Sequence, residues 1–131
     1  MNIHHLHRAV SVLVAGYPDR PSPSTRRALY TFFRAYFALV RGSSAPTHFG
    51  RIPTGVFGSR TNITHWLTTR VQLPLWFEAT DTLGSPKDWG PLMWTFLRTL
   101  SAQFSIHTKH LFHALFKSLT ELLPCRKCAQ N

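Results

Sequence analysis

Pro124-Cys125-Arg126-Lys127-Cys128 holds both cysteines of this 131-residue chain, two residues apart and directly after an apolar helical run. A Cys-x-x-Cys pair is either a dithiol/disulfide redox centre or half of a metal site. Proline suits the first turn of a helix, so Pro124 predicts a helix start with Cys125 in its first turn. Free backbone N–H groups and the helix dipole there favour a thiolate, and Arg126 and Lys127 add positive charge beside it. The competing metal chemistry would draw on His107, His110 and His113, three residues apart along one predicted helix. Two of these imidazoles with Cys125 and Cys128 would make a Cys₂His₂ zinc set. Against it, the cysteine pair follows the histidines rather than preceding them, and Leu115, Phe116 and Leu119 need the same helix for packing. The simpler reading of the three histidines is a polar helix face, and of the cysteines, an unreactive surface pair.

The elements that must position these groups read as helices. His4 to Ala15 carries Leu6, Val10, Leu13 and Val14 on one side. After a proline-rich break from Tyr17 to Pro23, Ser24 can cap a second helix running to about Val40. Its apolar stripe, from Leu29 through Phe32, Phe33, Tyr36 and Phe37 to Leu39, is too wide for one contact face, which predicts packing on two sides. Arg41 to Gly58 reads as loop, Ser59 to Arg70 as a short helix around Ile63, Trp66 and Leu67, Val71 to Phe77 as extended, and Thr80 to Lys87 as linker. Gly90-Pro91 then starts a helix, with Trp89, Met93, Trp94, Leu97 and Leu100 recurring at helical spacing. Ser105 or Thr108 opens the next, with Leu111, Phe112, Leu115, Phe116, Leu119 and Leu122 at helical spacing. The pattern predicts an all-α helical bundle. Tyr17-Pro-x-x-Pro followed by a helix with paired aromatics echoes Gln103 through Leu119, so the chain reads as one and a half copies of one unit.

Composition narrows the partners. Fifteen Lys and Arg against five Asp and Glu give a formal net charge of +10. That field favours anionic partners, and Arg26, Arg27, Arg34, Arg41 and Arg51 could form a basic patch. The aromatics lie in apolar stripes rather than among exposed basic residues and no base-reading motif is present, which argues for a charged solvated face over a dedicated nucleic-acid site. Charges or prolines interrupt every apolar run short of the ~20 residues a membrane span needs.

Trp89-Gly90-Pro91-Leu92-Met93-Trp94-Thr95-Phe96-Leu97, followed by Pro124-Cys125-x-x-Cys128-Ala129, resembles the Erv/ALR family of FAD-linked sulfhydryl oxidases. That family has a W-G-P-x-x-W-x-x-L-H helix, a second helix, then P-C-x-x-C opening a third, and the order and spacing match over Asp88 to Gln130. The earlier part is similar more weakly. Leu6-His7 then Tyr17-Pro18 follows the L-H…Y-P stretch, Trp66-x-x-x-Arg70-Val71-x-Leu73-Pro74 falls at the family's W-x-x-x-H-N-x-V-N, and Gly42-Ser43-Ser44-Ala45 stands at its Cys-x-x-Cys. The resemblance therefore implies a degenerate unit over residues 1–79 and a partial, cysteine-bearing unit over 88–131. This order is similar to the tandem oxidases of large DNA viruses such as baculoviruses.

The resemblance implies an enzyme that forms disulfide bonds in thiol-containing substrate proteins, with FAD as cofactor and oxygen as acceptor. Cys125 would exchange with substrate and Cys128 would face the flavin, while Trp89, Gly90, Pro91, Trp94 and Arg98 would line the cofactor. The two tryptophans equally fit core positions, and Arg98 equally fits an exposed cation. The sequence departs from the family at Arg98, where the family has His, and at Phe104, where it has Tyr; the later H-N-x-V-N helix of the second unit is not among these residues. A homodimer through the first helices is also implied. The rival function is a catalytically inactive helical dimerisation or assembly module.

Overall fold

A computed structural model describes residues 3–40, 55–71, 86–102 and 104–123. Among the described residues the fold is all-α. Five helices carry it: α1 (Ile3–Ala15), α2 (Pro23–Val40), α3 (Arg60–Trp66), α4 (Pro86–Ser101) and α5 (Lys109–Leu122). A 3₁₀ turn, Val56–Gly58, leads into α3, and a π turn, Leu67–Val71, continues it. The extended segment expected from Val71 lies outside the described residues except at Val71 itself, which closes the π turn.

Local chemistry sets the helix ends. The cap of α2 is Ser22, not Ser24: its hydroxyl accepts the Thr25 N–H at 3.1 Å, and Pro23 occupies the first helical position, where no N–H is needed. Ser59 caps α3 by accepting the Asn62 N–H at 3.1 Å. The turn before it requires Gly55, whose φ of 88° is left-handed. The hydroxyls of Thr68 and Thr69 donate to the carbonyls of Thr64 and His65 at 2.8 and 2.6 Å, within the widened π turn. Leu123 is extended after α5, the conformation favoured before a proline.

The helix expected to start at Gly90-Pro91 starts earlier, at Pro86, so Pro86 and Lys87 belong to α4 rather than to a linker. Proline at position 86 supplies the N-terminal preference, and Trp89 then anchors the first turn in the core. Pro91 is left inside the helix, without an N–H to donate to the preceding turn.

Packing follows from how much of each helix is apolar. Ala9 through Ala15 is buried without interruption, beyond the single face the spacing suggested, because α4 covers one side of α1 and α3 another. The wide stripe of α2 is sandwiched as expected. Leu29, Phe32, Tyr36 and Leu39 are buried along the helix that packs on α5; Phe33 meets the rings of Phe57, Trp66 and Phe37 at 6.1, 5.9 and 5.3 Å, and Phe37 meets Trp66 at 6.2 Å. Arg60 ties α3 to the end of α1: its guanidinium donates to the Ala15 carbonyl at 3.2 Å and pairs with Asp19 at 3.5 Å. That carbonyl is one that α1 cannot satisfy internally.

The two halves of the sequence meet in a regular way. Aligning Gly42-Ser43-Ser44-Ala45 with Cys125-Arg126-Lys127-Cys128 pairs Leu29, Phe32, Ala35, Tyr36 and Leu39 of α2 with Phe112, Leu115, Ser118, Leu119 and Leu122 of α5; all ten are buried. Aligning Tyr17 with Phe104 pairs Ala9 and Leu13 of α1 with Phe96 and Leu100 of α4, again all buried. The matched helices are also the ones that pack together, α1 on α4 and α2 on α5. One hydrophobic cluster draws on all five helices.

Candidate functional site

The sequence places the chemistry on α4 and on the segment after α5. Pro124, Cys125 and Cys128 lie outside the described residues, as do the Gly42-Ser43-Ser44-Ala45 stretch, Arg41 and Arg51. The residues expected to line a cofactor all fall on α4 and divide between two faces. Trp89 is only 5% exposed and shares the buried face with Met93, Phe96 and Leu100. Gly90 is half-buried, and a Cβ there would meet nothing within 4 Å, so its lack of a side chain is not demanded by local crowding. Pro91, Trp94 and Arg98 recur at intervals of three and four and form one stripe on the opposite, open face. Trp94 is 66% exposed, so the core reading of the two tryptophans holds for Trp89 and fails for Trp94.

The open face is bordered by hydroxyls that are already engaged. Thr95 donates to the Pro91 carbonyl at 3.0 Å, Thr99 to the Thr95 carbonyl at 2.7 Å and Ser101 to the Arg98 carbonyl at 2.7 Å. The groups left to meet a ligand are the Trp94 indole and the Arg98 guanidinium, one helical turn apart. Beyond α4 the apolar surface continues: Phe104 is 57% and Phe116 45% exposed, joined through Phe112 at centroid distances of 5.4 and 5.9 Å.

The corresponding face in the first half of the chain is closed. Tyr17, which aligns with Phe104, is buried and its hydroxyl donates to the Phe57 carbonyl at 2.6 Å. Phe33, which aligns with Phe116, is fully buried against Phe57 and Trp66 at 6.1 and 5.9 Å. Ser11, which aligns with Arg98, is fully buried as well. Among the described residues, interleaved rings fill the interior of the first half where the open face of α4 has its counterpart.

His107, His110 and His113 are exposed, and no group of three or more metal-ligating side chains exists among the described residues. Arg26, Arg27 and Arg34 are exposed on α2. No helix among the described residues is long and apolar enough to cross a membrane. Sequence reasoning did not single out Phe104 and Phe116 as exposed, because their periodicity is that of core residues; only the alignment with Tyr17 and Phe33, and the cover those two receive, separates them. No protein family, no curated protein and no solved structure matches this chain.

Proposed function

We propose that this chain is a FAD-linked thiol oxidase of the Erv/ALR type that forms disulfides in substrate proteins. The observation that carries the reading is the difference between the halves: Trp94 and Arg98 stand on an open stripe of α4, while the matching face of the first half is filled by Tyr17, Phe33, Phe57 and Trp66. A flavin fits the open face by chemistry, since an exposed indole can stack on a flat ring and a guanidinium one turn away can meet a phosphate. Trp89 would act behind that face, fixing α4 against the core. When bound, FAD supplies the two-electron acceptor, with oxygen downstream of it.

The chain's own thiols do the exchange. A substrate thiolate attacks the Cys125 sulfur of the Cys125–Cys128 disulfide and releases the Cys128 thiolate. The second substrate thiolate then attacks the mixed disulfide, leaving substrate oxidised and Cys125 and Cys128 reduced. Arg126 and Lys127 favour both thiolate forms. The purified protein is expected to be yellow and to consume thiols, with Cys128→Ser abolishing turnover while keeping the flavin, and Trp94→Ala lowering flavin content. A colourless protein with no thiol consumption sinks the reading.

The exposed side chains of Phe104, Ile106 and Phe116 favour a second reading, an inactive assembly module, whose signature is self-association without flavin. A homodimer built on the first helices would have to use other surfaces of them, since α4 and α5 already cover one side of α1 and α2.

A further inference from the structure

A groove of about 440 Å³ runs between α2 and α5, on a different helix pair from the Trp94 stripe. The two helices are antiparallel there, because Ser24 at the start of α2 hydrogen-bonds Glu121 at the end of α5. Helical spacing then orders the groove. Glu121 closes one end, held by the hydroxyls of Ser24 and Thr25. One turn along, Arg27 and Lys117 line the middle from the two walls, and His113 lies a further turn along α5. Ala28 and Ala114 form part of the lining and leave room between the charged side chains. Among the described residues, neither Arg27 nor Lys117 has a carboxylate partner; the one ion pair there is Arg60 with Asp19.

The internal alignment shows that this arrangement is particular to one side. His113 and Lys117 align with Tyr30 and Arg34. In α2 the arginine is folded over the tyrosine ring, 5.7 Å from its centroid, and donates to its hydroxyl at 3.3 Å. In α5 an imidazole replaces the phenol, and no ring contact holds Lys117 among the described residues. The cation is left to face the groove opposite Arg27.

We propose that this groove binds a small phosphate monoester that also carries hydroxyl groups, of the sugar-phosphate class. The phosphate sits between Arg27 and Lys117, where a planar guanidinium and an ammonium supply charge-assisted hydrogen bonds from two walls, with His113 as a further donor. The hydroxyls donate to Glu121, about 6 Å along the groove. Glu121 also selects against an extended polyanion, whose next charge would run into the carboxylate. The volume is that of a small-molecule site.

The test is calorimetric titration of the full chain at about 150 mM salt, where unspecific surface attraction is screened. Ribose 5-phosphate is expected to bind at least about tenfold tighter than inorganic phosphate, and Arg27→Gln or Lys117→Glu to weaken it by about tenfold or more. Glu121→Gln should erase the preference for ribose 5-phosphate while keeping phosphate binding. Lys87→Glu, the same charge change on exposed α4, should leave binding unchanged. Arg27, Lys117 and Lys87 are exposed, so the variants keep the fold, which far-UV circular dichroism verifies. Equal losses in Lys87→Glu and Lys117→Glu, no preference over inorganic phosphate, or no binding at millimolar ligand each overturn the proposal. An oligonucleotide that binds more tightly than ribose 5-phosphate overturns it in favour of a general basic surface.

Discussion

Tyr17 shows how one side chain couples distant segments and makes the fold sensitive to pH. Its hydroxyl reaches the Phe57 carbonyl at 2.6 Å, joining the end of α1 to the turn that precedes α3. Burial disfavours the phenolate, and the nearby Arg26 charge offsets part of that, leaving the phenol pushed up to about 12. Burial raises Tyr36 as well. A raised phenol stabilises the fold fully below its unfolded value, and that contribution disappears as pH rises through the folded value. Alkaline unfolding is therefore expected between about pH 10 and 12. Tyr30, the third tyrosine, is 40% exposed, so the measurement is made in Tyr30→Phe: there, tyrosinate absorbance and loss of helical dichroism should rise together, and tyrosinate appearing well before the helices melt would contradict it. Tyr17→Phe removes the hydrogen bond while keeping the ring, and should cost about 1 kcal/mol in denaturant titration at neutral pH.

At the scale of elements, the helices were legible because their apolar spacing and end signals agree. The stripe of α2 announced two packing partners, and Ser59 with Asn62 built the expected start of α3. The expected start of α4 falls too late because the sequence offers two proline openings, and Ser85-Pro86 is the stronger: serine outranks glycine before a first-turn proline, and the burial of Trp89 carries the helix past Gly90-Pro91. Which face of α4 is open was not legible either. Trp89 and Trp94 have the same composition cue, and only the partner helix α1 decides that one is inside. The interior proline yields a stability prediction. Pro91 is exposed and lacks the N–H that the helical ladder would use, so Pro91→Ala should stabilise the protein by about 1–3 kcal/mol. A rise in melting temperature with unchanged far-UV dichroism would show it; no rise would mean that α4 is shaped around the proline by its packing. Ser59→Ala, in contrast, should lose about 1 kcal/mol through the cap of α3.

At the scale of the whole molecule, the two halves share a helical burial pattern and differ in what covers it. The seam between α2 and α5 is common to both copies, since aligned positions are buried alike. The outer face is not: Phe33 is fully buried under Phe57 and Trp66, whereas its counterpart Phe116 is 45% exposed. The same chemical change should thus give unequal effects at matched positions. Phe33→Ala removes a ring from a close-packed cluster and leaves a cavity, at a cost of about 3–5 kcal/mol. Phe116→Ala removes a ring that already faces solvent, and should cost under about 1 kcal/mol in the isolated chain. Urea titration of both variants measures the difference, with an unchanged slope confirming that the folded state keeps its extent. Comparable losses at the two positions would mean that Phe116 is covered in solution, by a second copy or a bound molecule. In that case the loss at Phe116 should grow with protein concentration if the cover is a second copy, and with added flavin if the open face of the second half is where the cofactor lies.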